Sequence, residues 1–365
     1  MPRVLFIAAH RPNRSPSQRF RFEQYLDFFL EKGFEWDLSY LISEKDDSTF
    51  YQPGNLPIKA YIFMKSWFKR LRDVVAASDY DIIFIQREAF MTGSTFFEKL
   101  FARSGAQVVF DFDDAIWHFD VSEANKRLGW LKSPSKTANI IKLCDHIVAG
   151  NNYLADYARQ FNPSVTVIPT TIDTNYHQPD LLRDWNKEVI CIGWTGSMTT
   201  VKHFRLAEAI LTRLRDKYGD RLRFKLIGDP TYKNEKLGIS GVSWTLQNEV
   251  EELRDIDIGI MPLPDDEWSK GKCGFKGLQY MAMEIPPVMS PVGVNTEIVE
   301  HGINGFLASS EAEWVDRISM LVENPQLRRE MGLKARQTVI DRYSVASQRD
   351  RYLQLFEKLI NPEKS

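Results

Sequence analysis

Short apolar runs recur along the chain, each followed by a stretch with the spacing of an amphipathic helix. The runs fall at residues 4–9, 36–41, 82–85, 108–112, 147–149 and 165–168, then, after a gap, at 189–192, 224–227, 258–261 and 287–290. Most are apolar on successive positions, as strands buried on both faces are. Their alternation with helices predicts an α/β chain of parallel sheets wound by right-handed crossovers. Two sets of runs predict two doubly wound domains, over residues 1–170 and 189–345. The segment between them, 171–188, is polar, turn-rich and weakly periodic, and reads as a linker. Trp314, Ile318 and Leu321 have helical spacing, and Tyr352, Leu353, Phe356 and Leu359 form the apolar face of a last helix in the segment 346–365.

Length agrees with this division, because 365 residues exceed one ordinary core. The net charge of −2 gives no overall attraction to nucleic acid, so any basic surface must be local. The three cysteines, Cys144, Cys191 and Cys273, are widely spaced and odd in number, which argues against a disulfide framework and for a reducing, cytoplasmic setting. No apolar run reaches the roughly 18 residues that a spanning helix needs. The N-terminal residues read as a first strand rather than an export signal.

In open parallel sheets, ligands bind beyond the carboxyl ends of the strands. In the second half these positions hold Gly196 to Lys202 and the stretch before Lys276. The segment 271–305 is the most telling: a glycine-rich loop with Lys272 and Lys276 runs into a helix at Gly274 and Phe275. Free N–H groups and the helix dipole favour an anion there, as in a site for a phosphorylated ligand. In the first half, residues 10–21 (HRPNRSPSQRFR) carry four arginines, of which Arg19 and Arg21 are candidates to grip a phosphate. Arg87 is either half of an ion pair with Glu88 or a ligand contact. The run VVFDFDDAIW places Asp111 and Asp113 on one face at a strand end, with Asp114 beside them, a grouping suited to acid/base work, metal binding or anchoring a hydroxyl. For Asp114, capping of a following helix is an equal alternative. There is neither an HExxH motif nor a Cys–His cluster with zinc spacing, so no dedicated metal site is expected.

The second half resembles the retaining glycosyltransferases of family four, which have the GT-B fold of two Rossmann-like domains facing a cleft. The likeness rests on ordered segments: 192–202 (IGWTGSMTTVK), 257–263 (DIGIMPL), 279–282 (QYMA), 290–294 (SPVGV), 297–299 (EIV) and 302–307 (GINGFL), with 167–173 (VIPTTID) at the entry to the hinge. It implies an acceptor-binding first domain, a donor-binding second domain and a last helix that crosses back to the first. The chain departs from the family pattern. Two donor-loop glutamates fall at Gly271 and Gln279, an arginine falls at Ser197 while the lysine after it is kept as Lys202, and a first-domain histidine falls at Asp113.

The resemblance implies transfer of a sugar from a nucleotide-diphosphate sugar to a hydroxyl of a glycan or lipid-linked glycan, with retention, in cell-surface polysaccharide or glycoconjugate synthesis. Gly196, Ser197, Lys202, Lys272, Gly274, Phe275, Lys276 and Gln279 would hold the donor, with Gln279 at the ribose. Arg19, Arg21, Arg87, Asp111 and Asp114 would face the acceptor, and Asp113, Lys202 and Lys276 would act in the chemistry. The donor would be a co-substrate, and no cofactor or essential divalent metal is expected. A sugar-nucleotide epimerase and a non-catalytic nucleotide-sugar-binding partner are the alternatives. The stretch 58–75 (IKAYIFMKSWFKRLRDVV) reads as an amphipathic helix. Lys65, Lys69 and Arg72 form its basic face and Met64, Trp67, Phe68 and Leu71 its apolar one, so the helix either packs on the first sheet or makes peripheral contact with the inner membrane face.

Overall fold

The computed structural model describes residues 1–52, 54–118 and 133–361. They form two compact units, residues 1–170 with 348–365, and residues 171–347.

The first unit is built on six parallel strands: β1 (Arg3–His10), β2 (Glu35–Ile42), β3 (Ile82–Gln86), β4 (Gln107–Phe112), β5 (His146–Ala149) and β6 (Val165–Val167). Their order is β2-β1-β3-β4-β5-β6, with Val4 beside Ile82, Ile82 beside Gln107 and Val109 beside His146. The order reverses between β1 and β3, so the loops after these strands open a crevice at their carboxyl ends. An aromatic layer of Phe6, Phe22, Phe29 and Phe84 lies against the sheet. Tyr352 and Phe356 of the last helix, Val345–Ile360, complete it, packing on Tyr25, Phe29 and Phe84. Complete burial of Phe356 is worth about 2–3 kcal/mol, enough to seat that helix firmly in the first unit.

The second unit has β7 (Ile190–Thr195), β8 (Leu222–Ile227), β9 (Lys233–Asn234), β10 (Ile239–Ser240), β11 (Ile258–Met261), β12 (Pro287–Met289) and β13 (Phe306–Leu307). The main sheet is parallel in the order β13-β12-β11-β7-β8, and β9 and β10 make a small antiparallel hairpin. All ten apolar runs are therefore strands. The pattern missed β13 and the hairpin, because two-residue strands carry no period to read.

Residues 171–188 are not a bare tether. They belong to the second unit, where the Arg183 guanidinium donates to the carbonyls of Ile256 and Arg254, and the Arg328 guanidinium donates to the carbonyl of Trp185. Ile172 and Ser344 pair as a parallel bridge, so the incoming and outgoing chains of the unit run side by side. All three cysteines are free and buried.

Candidate functional site

In the second unit, the helix Phe275–Ala282 starts directly after Gly274, whose φ of 67° is left-handed. A β-carbon there would lie 2.2 Å from the Ile298 Cδ1 atom, so both backbone angle and space demand glycine. The far side of the helix is pinned by Tyr280: the Thr195 amide donates to its hydroxyl at 2.9 Å, and that hydroxyl donates to the Ile260 carbonyl. Strands β7 and β11 thereby fix the helix N-terminus near the loop that leaves β7. That loop also makes a close approach, since a β-carbon on Gly196 would fall 2.1 Å from the Trp194 ring.

Cations gather around this helix end. The Lys276 ammonium lies 5.5 Å from the centre of the Trp194 ring, and the Lys272 ammonium 5.3 Å from that of Trp268. Lys202 is exposed on the short helix Val201–Phe204. Its neighbour His203 is buried, and its pKa is lowered to about 4, first by desolvation and then by the charges of Lys272, Lys276 and Lys202, against the opposing charge of Asp266. Lys202 beside it and, far along the chain, Lys272 and Lys276 thus act on one imidazole. Gathered lysines at a helix N-terminus favour a polyanion such as a diphosphate.

One donor-side expectation needs correction. Gln279 does not face outward to meet a ribose. It is 2% exposed, and its amide donates to Glu249 Oε1 at 2.9 Å. Position 279 lies on the inner side of the helix, so an amide that can donate holds a buried carboxylate there. Ser197, where the family pattern carries an arginine, caps the turn Met198–Thr200: its amide donates to Thr200 Oγ1 at 2.9 Å. Ser290 is likewise structural, its buried hydroxyl accepting from the Leu263 amide.

In the first unit, a dense ion network occupies the carboxyl ends of β1, β3 and β4. Arg21 and Asp111, expected to meet an acceptor, are instead buried against each other at 1% and 0% exposure. The guanidinium makes a two-pronged contact with the carboxylate, at 2.5 Å and 3.1 Å, and also donates to the Ile168 carbonyl. Burial pushes the Asp111 carboxyl up, and Arg21 opposes that rise. Such a pair holds the loop after β1 to the sheet and has no face left for a ligand.

Asp113 sits nearer the surface of this network. It accepts from the Ser17 hydroxyl and from Arg87 Nε, each at 2.8 Å, and the Gln86 amide in turn donates to Ser17. Burial acts to raise its pKa, but the charges of Arg87 and Arg21 and these hydrogen bonds outweigh it and hold the carboxylate below its ordinary value. Arg87 adopts a left-handed φ of 63° and lies 3.4 Å from Asp114. A left-handed arginine costs on the order of 1–3 kcal/mol and marks a functional candidate. The expected Arg87–Glu88 pair does not form: Glu88 bonds Lys136. Arg19 is half-buried over the Phe20 ring, while Arg11 and Arg14 bond Asp47. No helix begins at Asp114 among the described residues, which removes the capping role.

Sequence reasoning missed His203, Ser17 and Glu249. His203 follows Lys202 directly, and its place among the lysines was the available signal. Glu249 shows no pattern in sequence that links it to Gln279.

Two units, each a parallel sheet wound by helices, are the architecture of the GT-B fold. The solved structures agree on the fold. Superposition on a glycosyltransferase from Rickettsia africae gives a TM-score of 0.68 at 13% identity, covering 98% of each chain. Sucrose-phosphate synthase from Thermosynechococcus elongatus gives 0.67 at 13% identity over 100% of both chains. HepE from Anabaena, solved with UDP and glucose, gives 0.66 at 15% identity, covering 98% of this chain and 99% of that one. Residues 189–324, most of the second unit, match the family model described as Glycosyl transferases group 1.

Proposed function

We propose that the protein transfers a sugar from a nucleotide-diphosphate sugar to a hydroxyl of a glycan or lipid-linked glycan, with retention, as a cytoplasmic enzyme of cell-surface polysaccharide or glycoconjugate synthesis. The observation that carries this reading is the N-terminus of the helix Phe275–Ala282, opened by the left-handed Gly274, with Lys272 just before it and Lys276 in its first turn over the Trp194 ring of β7. As the bond between the anomeric carbon and the diphosphate breaks, its electron pair goes to the phosphate oxygen. Fixed cations and N–H dipoles stabilise that charge more in the transition state than before it. Lys202 and Lys276 take this role, with Lys272 and the amides of Gly274 and Phe275 holding the diphosphate.

The new bond forms on the face from which the diphosphate leaves, and the acceptor proton passes to the departing phosphate oxygen. Asp113 remains ionised and is a weak base, so it orients the acceptor hydroxyl by accepting its hydrogen bond. Arg87, Asp114 and Arg19 are proposed to line the acceptor side. The lysines supply the charge a divalent metal would otherwise bring, so EDTA should leave the rate unchanged.

HepE has been solved with UDP-glucose as well as with UDP and glucose, so uridine donors come first in the test. A panel of UDP-, GDP- and dTDP-sugars should raise the melting temperature for one base only, because binding to the folded state adds stability. No shift with any of them would reject the reading. Free nucleoside diphosphate should then appear only when an acceptor hydroxyl is present. Turnover without acceptor would point to an epimerase, and binding without turnover to a non-catalytic partner.

A further inference from the structure

The helix Leu56–Val75 has a buried strip and, opposite it, an exposed apolar ridge. Ile62, Ser66, Arg70 and Asp73 face inward and are buried. Trp67, expected on a free apolar face, packs edge-on against Phe90 and Phe97 and stacks on Phe96, so it belongs to the core. At 100° per residue, Tyr61, Met64, Phe68 and Val75 fall within about 60° of arc on the side away from the buried strip. They are 67%, 57%, 62% and 82% exposed. Leu56 and Ile58 extend the exposed apolar surface toward the N-terminal end of the helix. The outward side of a solvated helix is ordinarily polar, and a continuous apolar ridge there marks an interaction surface.

The exposed charges that the helix itself carries are of one sign. The only acidic residue of the helix, Asp73, is turned inward, where it accepts from Arg70 and from Ser39. Arg72 is exposed beside the ridge, and Lys65 remains 46% exposed although it touches Asp46. Lys69 is held at the flank by the Tyr40 carbonyl and ring. A partner must therefore combine negative charge with an apolar layer beneath it. A second copy of the same face would bring Arg72 and Lys65 against like charges in a two-fold contact. The surface of a bilayer with anionic headgroups meets both requirements.

We propose that this outward face docks the protein on an anionic phospholipid surface, with Tyr61, Met64, Phe68 and Val75 entering the headgroup–acyl boundary and Arg72 and Lys65 lying among the phosphates. The docking stands on the helix alone and holds whether or not the protein transfers sugar. A glycosyltransferase placed this way would meet an acceptor carried on a lipid.

The test is sedimentation of the full chain with vesicles of phosphatidylcholine alone and of phosphatidylcholine mixed with phosphatidylglycerol. The wild type should sediment with the mixed vesicles and lose that association at high salt. The Met64→Ser/Phe68→Ser double variant should bind at least about tenfold more weakly, as apolar area leaves the interface. Arg72→Glu should weaken binding about fivefold or more by reversing a charge at the surface. Both variants should keep the wild-type melting temperature, since these side chains have no core to leave. Wild-type and double-variant chains that bind mixed vesicles equally would overturn the proposal. So would a wild type that ignores both vesicles but forms a dimer that the double variant dissolves. Donor-induced melting shifts in the double variant read the sugar-transfer proposal separately.

Discussion

The two units place their charged candidate residues differently. In the first, candidate residues neutralise one another: Arg21 with Asp111, Arg87 with Asp113 and Asp114, Arg11 and Arg14 with Asp47. In the second, Lys202, Lys272 and Lys276 accumulate around His203, which is held neutral by burial and by their charge. The balanced cluster is a framework that presents few groups outward. In the proposed reaction these lysines, beside a helix N-terminus, take the diphosphate. Sequence alone shows arginines and lysines after strands in both halves, and does not show that Arg21 and Asp111 are buried against each other.

This contrast is most strongly tested at Arg21. Arg21→Met strands a buried carboxylate and should destabilise the first unit by about 3–5 kcal/mol, read as an early melting transition. Adding Asp111→Leu should recover most of that loss, because the buried charge is then gone as well. Neither change should weaken nucleotide binding by the second unit. If Arg21→Met instead left stability intact and abolished acceptor use, the arginine would be a ligand contact.

Next in size come the lysines. Lys202→Ala and Lys276→Ala should each weaken binding of the nucleoside diphosphate by about 30- to 100-fold, the loss of one charge-assisted hydrogen bond of roughly 2–3 kcal/mol. Their melting temperatures should stay near wild type, opposite to Arg21→Met. Titration calorimetry distinguishes the two patterns.

Gly274→Ala should cost about 1–3 kcal/mol in the second unit, since alanine resists the left-handed angle and meets Ile298. It should also weaken donor binding by tilting the helix N-terminus. Urea melts with and without nucleotide measure both effects.

Histidines give the most diagnostic effect. His10, His146 and His203 all have pKa values lowered to about 4 by burial, so the folded chain keeps them neutral. The unfolded chain protonates them once pH falls below about 6.5. Stability is therefore fully present above that pH and is lost progressively as pH falls toward 4. A bound diphosphate would offset the lysine charges and raise the His203 pKa, while leaving His10 and His146 unchanged. Imidazole titration by NMR with and without UDP shows which occurs.

Much of the fold could be read from the apolar runs, because strands buried on both faces carry a strong signal over several residues. The short pair β13 and the hairpin carried none. Lysines 202, 272 and 276 stood out because they follow strands or lie in a glycine-rich loop, positions set by topology. Gln279, Arg21 and Asp111 misled because sequence gives a residue's place on an element but not its partner. An arginine and an aspartate 90 positions apart look like two ligands for something else until the fold sets them 2.5 Å apart. The helix Leu56–Val75 forms where its spacing predicts, but which aromatic ring serves the core and which the surface depends on Phe90, Phe96 and Phe97.

In the proposed reaction the second unit holds the diphosphate of a nucleotide sugar on Lys202 and Lys276. Calorimetric titration of the wild type, Lys202→Ala and Lys276→Ala with UDP, and with GDP and dTDP in parallel, reads this binding. The wild type should bind one nucleotide saturably, and each variant should lose about 30-fold or more in affinity. Equal affinity in all three proteins, or no binding of any nucleotide by the wild type, would contradict it.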